Sequence, residues 1–131
     1  MNREILFRGK CVDNGEWIEG NLLTYPSGDT RIAVTVSGHK NPAIYGSLEF
    51  VIPETVGQYT GLTDKNGKKI FEGDITKHRS NYSDNDVIAV VTYSDGYFLA
   101  MTEDNAGFNL SDRLEVIGNI HDNPELLEVS E

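Results

Sequence analysis

The sequence has little cysteine and no long hydrophobic run. Cys11 is its one cysteine, which excludes an intrachain disulfide and any cysteine-based zinc site. The longest aliphatic run, Val87–Val91, has five residues, whereas a bilayer-spanning helix needs roughly 20. The first ten residues place charges on both sides of a short apolar run, where a signal peptide needs about 7–15 apolar residues. We therefore expect a soluble cytoplasmic protein with no membrane span.

Basic residues are scarce. Lys and Arg number 11 and Asp and Glu number 21, so the formal net charge is −10. The first 79 residues carry ten charges of each sign, but the stretch from Ser80 onward has eleven acids and one base, Arg113. Such a chain is a poor general binder of polyanions. The acidic stretch has two interpretations. We favour a contribution to solubility, and the alternative is an acidic face that meets a basic partner.

The length of 131 residues predicts a single domain over residues 1–131. Asn-Gly and Asp-Gly pairs recur at short intervals and indicate hairpin turns. Between these turns apolar and polar residues alternate, which is typical of half-buried strands. The alternation is seen in Glu4–Cys11, Arg31–Val36 and Leu48–Ile52.

Two later segments, Val87–Tyr93 and Tyr97–Met101, are almost continuously apolar and predict a central hairpin buried on both faces. Leu114–Ile120 predicts one more strand, and Pro124–Glu128 predicts a short helix that docks through its two leucines. The predicted class is therefore all-β and mostly antiparallel. About eight strands would form a compact barrel or packed sheets, followed by a short C-terminal helix.

Four segments closely resemble the YopX family of phage and prophage proteins. They are Ile5–Lys10, Gly15–Gly20, Val56–Ile75 and Leu114–Leu127, and Phe71 stands where the family commonly has Tyr. The resemblance implies a mostly β fold and a gene carried by a phage or an integrated prophage, and hence a place in the cytoplasm of a bacterial host. It implies no reaction, so no catalytic residue is carried over.

The longest of these motifs is also interpretable from its own residues. Asp64–Gly67 predicts a tight turn, Gly73 predicts a bulge or a positive φ, and Asp74 is placed to accept backbone N–H groups beside it. We therefore expect the motif to shape the backbone rather than to carry chemistry.

Signs of catalysis and of metal binding are weak. The three histidines are far apart in the sequence, and an EF-hand register on Asp64–Gly67 would need acids where Leu62 and Gly73 stand. Ser80–Asp86 is rich in oxygen ligands and is interpreted as a solvated loop, and Cys11 as an inert buried thiol. We expect no cofactor, no metal, no catalytic residue and no enzymatic activity. A small carboxylate- or metal-dependent hydrolase remains an alternative.

The favoured hypothesis is a non-catalytic binding or self-assembling module. Its partner would be a host or phage protein, or a second copy joined through a free strand edge, which light scattering showing only monomer would contradict. Acidic candidates for protein contact are Asp84, Asp86, Asp104 and Asp112. Nucleic-acid binding through the Lys65–Arg79 region is a less favoured alternative because of the net charge. Its candidates are Tyr59, Lys65, Lys68, Lys69, Phe71, Lys77 and Arg79.

Overall fold

The computed structural model describes residues 4–35, 45–80, 82 and 84–127. In this part of the chain the secondary structure consists of strands and two short 3-10 helices. The strands are β1 (Phe7–Lys10), β2 (Trp17–Thr24), β3 (Thr30–Thr35), β4 (Tyr45–Phe50), β5 (Gly57–Thr63), β6 (Lys69–Phe71), β7 (Asp74–Arg79), β8 (Asp86–Ser94), β9 (Tyr97–Met101), β10 (Gly107–Asn109) and β11 (Glu115–Asn119). The 3-10 helices are Pro53–Thr55 and Pro124–Leu127.

The strands form two antiparallel sheets. The first has the order β4-β3-β2-β1-β5-β6, and the second has the order β10-β9-β8-β7-β11. The all-β prediction is confirmed, and within the described residues the strands form two sheets with free edges rather than a closed barrel. The predicted C-terminal helix is only a 3-10 turn, in which Leu126 N–H donates to the Asn123 carbonyl.

The chain divides into two compact units, Met1–Tyr59 and Thr60–Glu131. That the whole length folds as one domain stays a prediction. In the first unit β2, β3 and β4 follow one another as an antiparallel meander. The β2 and β3 backbones approach so closely at Gly20 that a Cβ there would lie 2.1 Å from the Ala33 carbonyl oxygen. Only glycine fits at such a position.

The alternation in Leu48–Ile52 identifies the shared face correctly, but that face is not buried. Leu48 and Phe50 are 46% and 45% exposed, whereas Val51, which points to the other side of the strand, is 2% exposed. The Arg31 guanidinium covers part of this face, at 4.0 Å from the centroid of the Phe50 ring. A period of two shows which residues lie together, but not which side of the sheet is covered.

One buried apolar cluster of the second unit lies on one face of its sheet. It consists of Ala89, Ala100 and Leu114, with Phe108 and Leu110 packed against it. Strands β8 and β9 form the predicted hairpin, with a two-residue turn in which both residues have a positive φ, 52° for Asp95 and 88° for Gly96. Two positive φ angles define the type I′ turn that favours Asp-Gly.

The prediction that this hairpin is buried on both faces is wrong. Val91 and Ala100 pair on the covered face and are almost fully buried, whereas Val90 and Met101 pair on the opposite face and are only half-buried. Apolar residues on both sides of a strand therefore do not require cover on both sides. The second face is the wall of a groove described below.

The long motif shapes the backbone, as predicted. Gly73 has a φ of +92°, its N–H donates to the Val91 carbonyl, and its own carbonyl accepts from Ile120 N–H. Asp74 is buried, and its carboxylate accepts a hydrogen bond of 2.7 Å from Phe71 N–H.

Candidate binding surfaces of the second unit

The basic candidates lie close to acidic side chains. Lys65 Nζ and Lys77 Nζ lie 3.6 Å and 4.0 Å from the same Glu115 oxygen, and Arg79 lies 3.5 Å from Asp84. These pairs are partly exposed, so each contributes little to stability. They do, however, offset the positive charge that a polyanion would meet.

The aromatic candidates are buried. Tyr59 is 8% exposed and Phe71 is 2% exposed, so neither ring presents a face to solvent. Lys68 is exposed in the turn before β6, and Lys69 is half-buried on that strand. Tyr82, 97% exposed, is the ring near this region that is open to stacking. Nucleic-acid binding stays the less favoured alternative.

Two of the four acidic candidates, Asp86 and Asp104, line a groove of about 600 Å³, which we call the acidic groove. Asp84 and Asp112 are exposed elsewhere. Sequence reasoning missed Glu103, which lines the same groove. The lining consists of Asp86, Val87, Ile88, Thr102, Glu103, Asp104, Ala106 and Phe108.

A second groove of about 550 Å³ lies on the half-buried face of β8 and β9, and we call it the apolar groove. Leu126 and Leu127 of the 3-10 turn contribute to its wall, so the predicted docking leucines do lie beside the hairpin. It shares three residues, Ile88, Thr102 and Glu103, with the acidic groove. The lining consists of Ile88, Val90, Thr92, Met101, Thr102, Glu103, Leu126 and Leu127.

The loop between β9 and β10 holds a carboxylate in its charged form. The Thr102 hydroxyl donates to Asp104, which is the main reason that the pKa of Asp104 lies below its ordinary value. The Thr102 oxygen in turn accepts a 3.0 Å hydrogen bond from Ala106 N–H, and Asn105 turns the loop with a φ of +67°. The acidic groove therefore keeps this negative charge to a lower pH than an ordinary aspartate would.

A third cavity, of about 370 Å³, lies at the end of the core of the second unit and includes His78 and Arg113, so we call it the His78 pocket. The His78 ring meets the Phe108 ring edge-to-face, with the centroids 4.8 Å apart. Burial, and then the Arg113 cation, lowers the pKa of His78. The Nδ1 of His78 is buried without a hydrogen-bond partner among the described residues.

The first unit has one cluster of metal-ligand types among its described residues, formed by Cys11, Asp13 and Glu49. Their ligand atoms lie within 4.8 Å of one another, and Cys11 Sγ is 3.9 Å from a Glu49 oxygen. The thiol is free and buried, as predicted. Exposed acids often gather without a metal ion, so this cluster alone does not define a site.

These features define an all-β protein of two antiparallel sheets, with open grooves and no helix in its described part long and apolar enough for a bilayer. The chain belongs to the YopX family, because the family model described as YopX protein matches residues 6–128. A comparison with curated proteins finds no significant match.

Two solved structures are similar over nearly the whole chain. Protein EF1440 from Enterococcus faecalis is 29% identical with a TM-score of 0.62, and the match covers 97% of this chain and 100% of that one. Protein yopX from Bacillus subtilis is 20% identical with a TM-score of 0.56, covering 96% and 98% of the two chains. The second likeness supports the fold alone.

Proposed function

We propose that this chain is a non-catalytic binding module that holds a segment of a partner protein rich in apolar and basic residues. The observation that carries the proposal is the continuity of the apolar and acidic grooves through Ile88, Thr102 and Glu103. One segment lying along both grooves would place apolar side chains against β8 and β9 and cations beside the carboxylates.

The apolar groove supports a ligand with apolar anchors. Val90 and Met101 are half-buried on a face that the described residues leave partly open, and Leu126 is 36% exposed beside them. A bound apolar side chain would remove this surface from water, which is favourable in proportion to the area buried. Amphipathic segments commonly bind such grooves.

The acidic groove supports a basic ligand. Asp86, Glu103 and Asp104 line this groove, and the described lining contains no basic side chain. Complementary charge at the rim of an interface raises the association rate and selects among partners more than it raises affinity. A segment with acidic residues would be repelled.

The family resemblance supports the remaining parts of the proposal. They are a phage or prophage gene, action in the cytoplasm of the bacterial host, and a host or phage protein as the partner. Self-association through a strand edge stays a prediction.

The experiment uses two fluorescent synthetic peptides of equal length, one alternating Leu with Lys and the other alternating Leu with Glu. We expect the Lys peptide to bind, with an affinity that falls as salt rises, and the Glu peptide not to bind. Fluorescence anisotropy measures both. Equal binding of the two peptides would contradict the proposal.

Variants locate the binding. We expect the double variant Asp86→Asn/Glu103→Gln to weaken binding of the Lys peptide about tenfold, the equivalent of about 1.4 kcal/mol of binding free energy. Asp84→Asn/Asp112→Asn changes the net charge equally but lies outside the groove lining, so it serves as the matched control. Val90→Thr keeps the shape of the side chain and should also weaken binding. An equal loss in the control would show general charge attraction rather than a groove.

A further inference from the structure

The His78 pocket shares Val87 and Phe108 with the acidic groove, but His78 and Arg113 line neither of the two proposed protein-binding grooves. Its volume of about 370 Å³ lies near the lower end of the roughly 300–1,000 Å³ typical of small-molecule sites. His78 pairs with Val87 and Phe108 pairs with Ala100, so both rings lie on the covered face of the second sheet. The apolar groove uses the opposite face.

The polar groups of the pocket, Arg113 and His78, favour an anionic ligand that can also form a hydrogen bond. Arg113, the one base in the sequence from Ser80 onward, contributes a guanidinium, which is always charged and suits carboxylate or phosphate oxygens. The buried Nδ1 of His78 has no partner among the described side chains and backbone. A buried polar atom without a partner costs free energy, so a ligand that hydrogen-bonds to it gains an advantage.

The apolar part of the pocket favours a ring. Phe108, Val87 and Leu114 line it, and the edge-to-face contact between His78 and Phe108 already sets the two rings at 69° to each other. Aromatic groups prefer such offset or edge-on contacts to rings. A flat ring with one anionic substituent meets both the apolar wall and the guanidinium.

We propose that the His78 pocket binds a small aromatic anion, with the ring against Phe108 and the carboxylate or phosphate on Arg113. The His78 imidazole hydrogen-bonds to the ligand as a neutral group. Burial and then the Arg113 cation lower its pKa, which disfavours a positive charge on the imidazole. The guanidinium alone then supplies the positive charge that holds the anion.

The test uses three probes of similar shape, which are benzoate, phenyl phosphate and neutral benzamide. Each is titrated into 15N-labelled protein while the NMR signals of the His78 imidazole, the Arg113 side chain and the Phe108 amide are followed. We expect benzoate or phenyl phosphate to bind with a dissociation constant of about a millimolar or tighter, and benzamide at least about tenfold more weakly. The two anionic arms distinguish a carboxylate from a phosphate ligand.

Arg113→Gln and Lys77→Gln each remove one positive charge, the first inside the pocket and the second outside it. Arg113→Gln should weaken binding of the tighter-binding anion about tenfold or more. Arg113→Lys should retain part of the affinity because it keeps the positive charge without the planar guanidinium. Lys77→Gln is the matched control, since Lys77 pairs with Ile88 on the opposite face and contacts Glu115.

Three results would overturn the proposal. They are equal binding of benzamide and the anions, equal losses in Arg113→Gln and Lys77→Gln, and no shift of the His78 imidazole at saturating anion. The backbone spectra of the variants show whether each one is folded. A failure here leaves the groove proposal intact, because its peptide probes and its variants test different residues.

Discussion

Asp64 accepts a hydrogen bond from the backbone N–H of Val116, with 2.9 Å between Oδ2 and the nitrogen, although the two residues are 52 positions apart in the sequence. The other carboxylate oxygen, Oδ1, accepts N–H groups of Asn66 and Lys68 at 2.8 Å and 2.9 Å. The adjacent Lys65 N–H donates to the Leu114 carbonyl. One buried carboxylate thus closes the turn before β6 and holds the turn to the start of β11.

We predict that Asp64→Asn lowers the free energy of unfolding by about 1–3 kcal/mol. The carboxamide keeps one acceptor oxygen and places an NH₂ group where the carboxylate now accepts an N–H, so at least one buried hydrogen bond is lost. Urea unfolding followed by circular dichroism measures the change. Asp112→Asn, at an exposed position, is the control and should change the free energy little.

The stability difference between wild type and Asp64→Asn should depend on pH. Burial raises the pKa of Asp64, but its hydrogen bonds from Val116, Lys68 and Asn66 outweigh burial and lower the pKa overall. A lowered folded-state pKa contributes stability above the unfolded-state value, near about 4, and that contribution is lost as pH falls through the folded-state pKa. Urea unfolding at a series of pH values should therefore show the difference shrinking below about pH 4. A gap independent of pH would mean that the charge of Asp64 has no role.

Substitution of Gly73 should destabilise the fold. Its φ of +92° is costly for any residue with a Cβ, and its N–H and carbonyl are both in hydrogen bonds that hold the position. We expect Gly73→Ala to cost about 1–3 kcal/mol of unfolding free energy. Thermal unfolding measures the effect.

Gly107→Ala is the matched control for Gly73→Ala. The nearest atom to a Cβ at Gly107 is the flexible Met101 sulfur at 3.1 Å, and its φ lies outside the left-handed region. We expect a smaller loss there. Equal losses at the two glycines would show that φ is not the cause at Gly73.

Local features of the fold were predictable because they depend on neighbours in the sequence. Asp95-Gly96 and Asp64–Gly67 form turns because these residues tolerate a positive φ or accept nearby N–H groups. Strand alternation placed Leu48 and Phe50 on one face correctly. The motif over Val56–Ile75 indicated the family, which the family model confirmed.

The candidate sites were only half predictable. Asp86 and Asp104 were singled out by charge and do line a groove, but the pairing of β8 with β9 and the loop that follows added Glu103. Tyr59 and Phe71 were singled out as aromatic and are buried. Composition identifies which side chains could interact, while exposure depends on what packs above them.

The sequence by itself determined the all-β class, the main turns and the acidic character of the second half of the chain, because these follow from local φ preferences, a period of two and a count of charges. Only the tertiary structure decided which faces are covered and which distant residues meet. In the tertiary structure Val90 and Met101 are only half-buried, and Arg113 lies near His78 although they are 35 positions apart in the sequence. The physical reason is that burial and side-chain proximity depend on long-range packing, which a pattern of neighbouring residues does not specify.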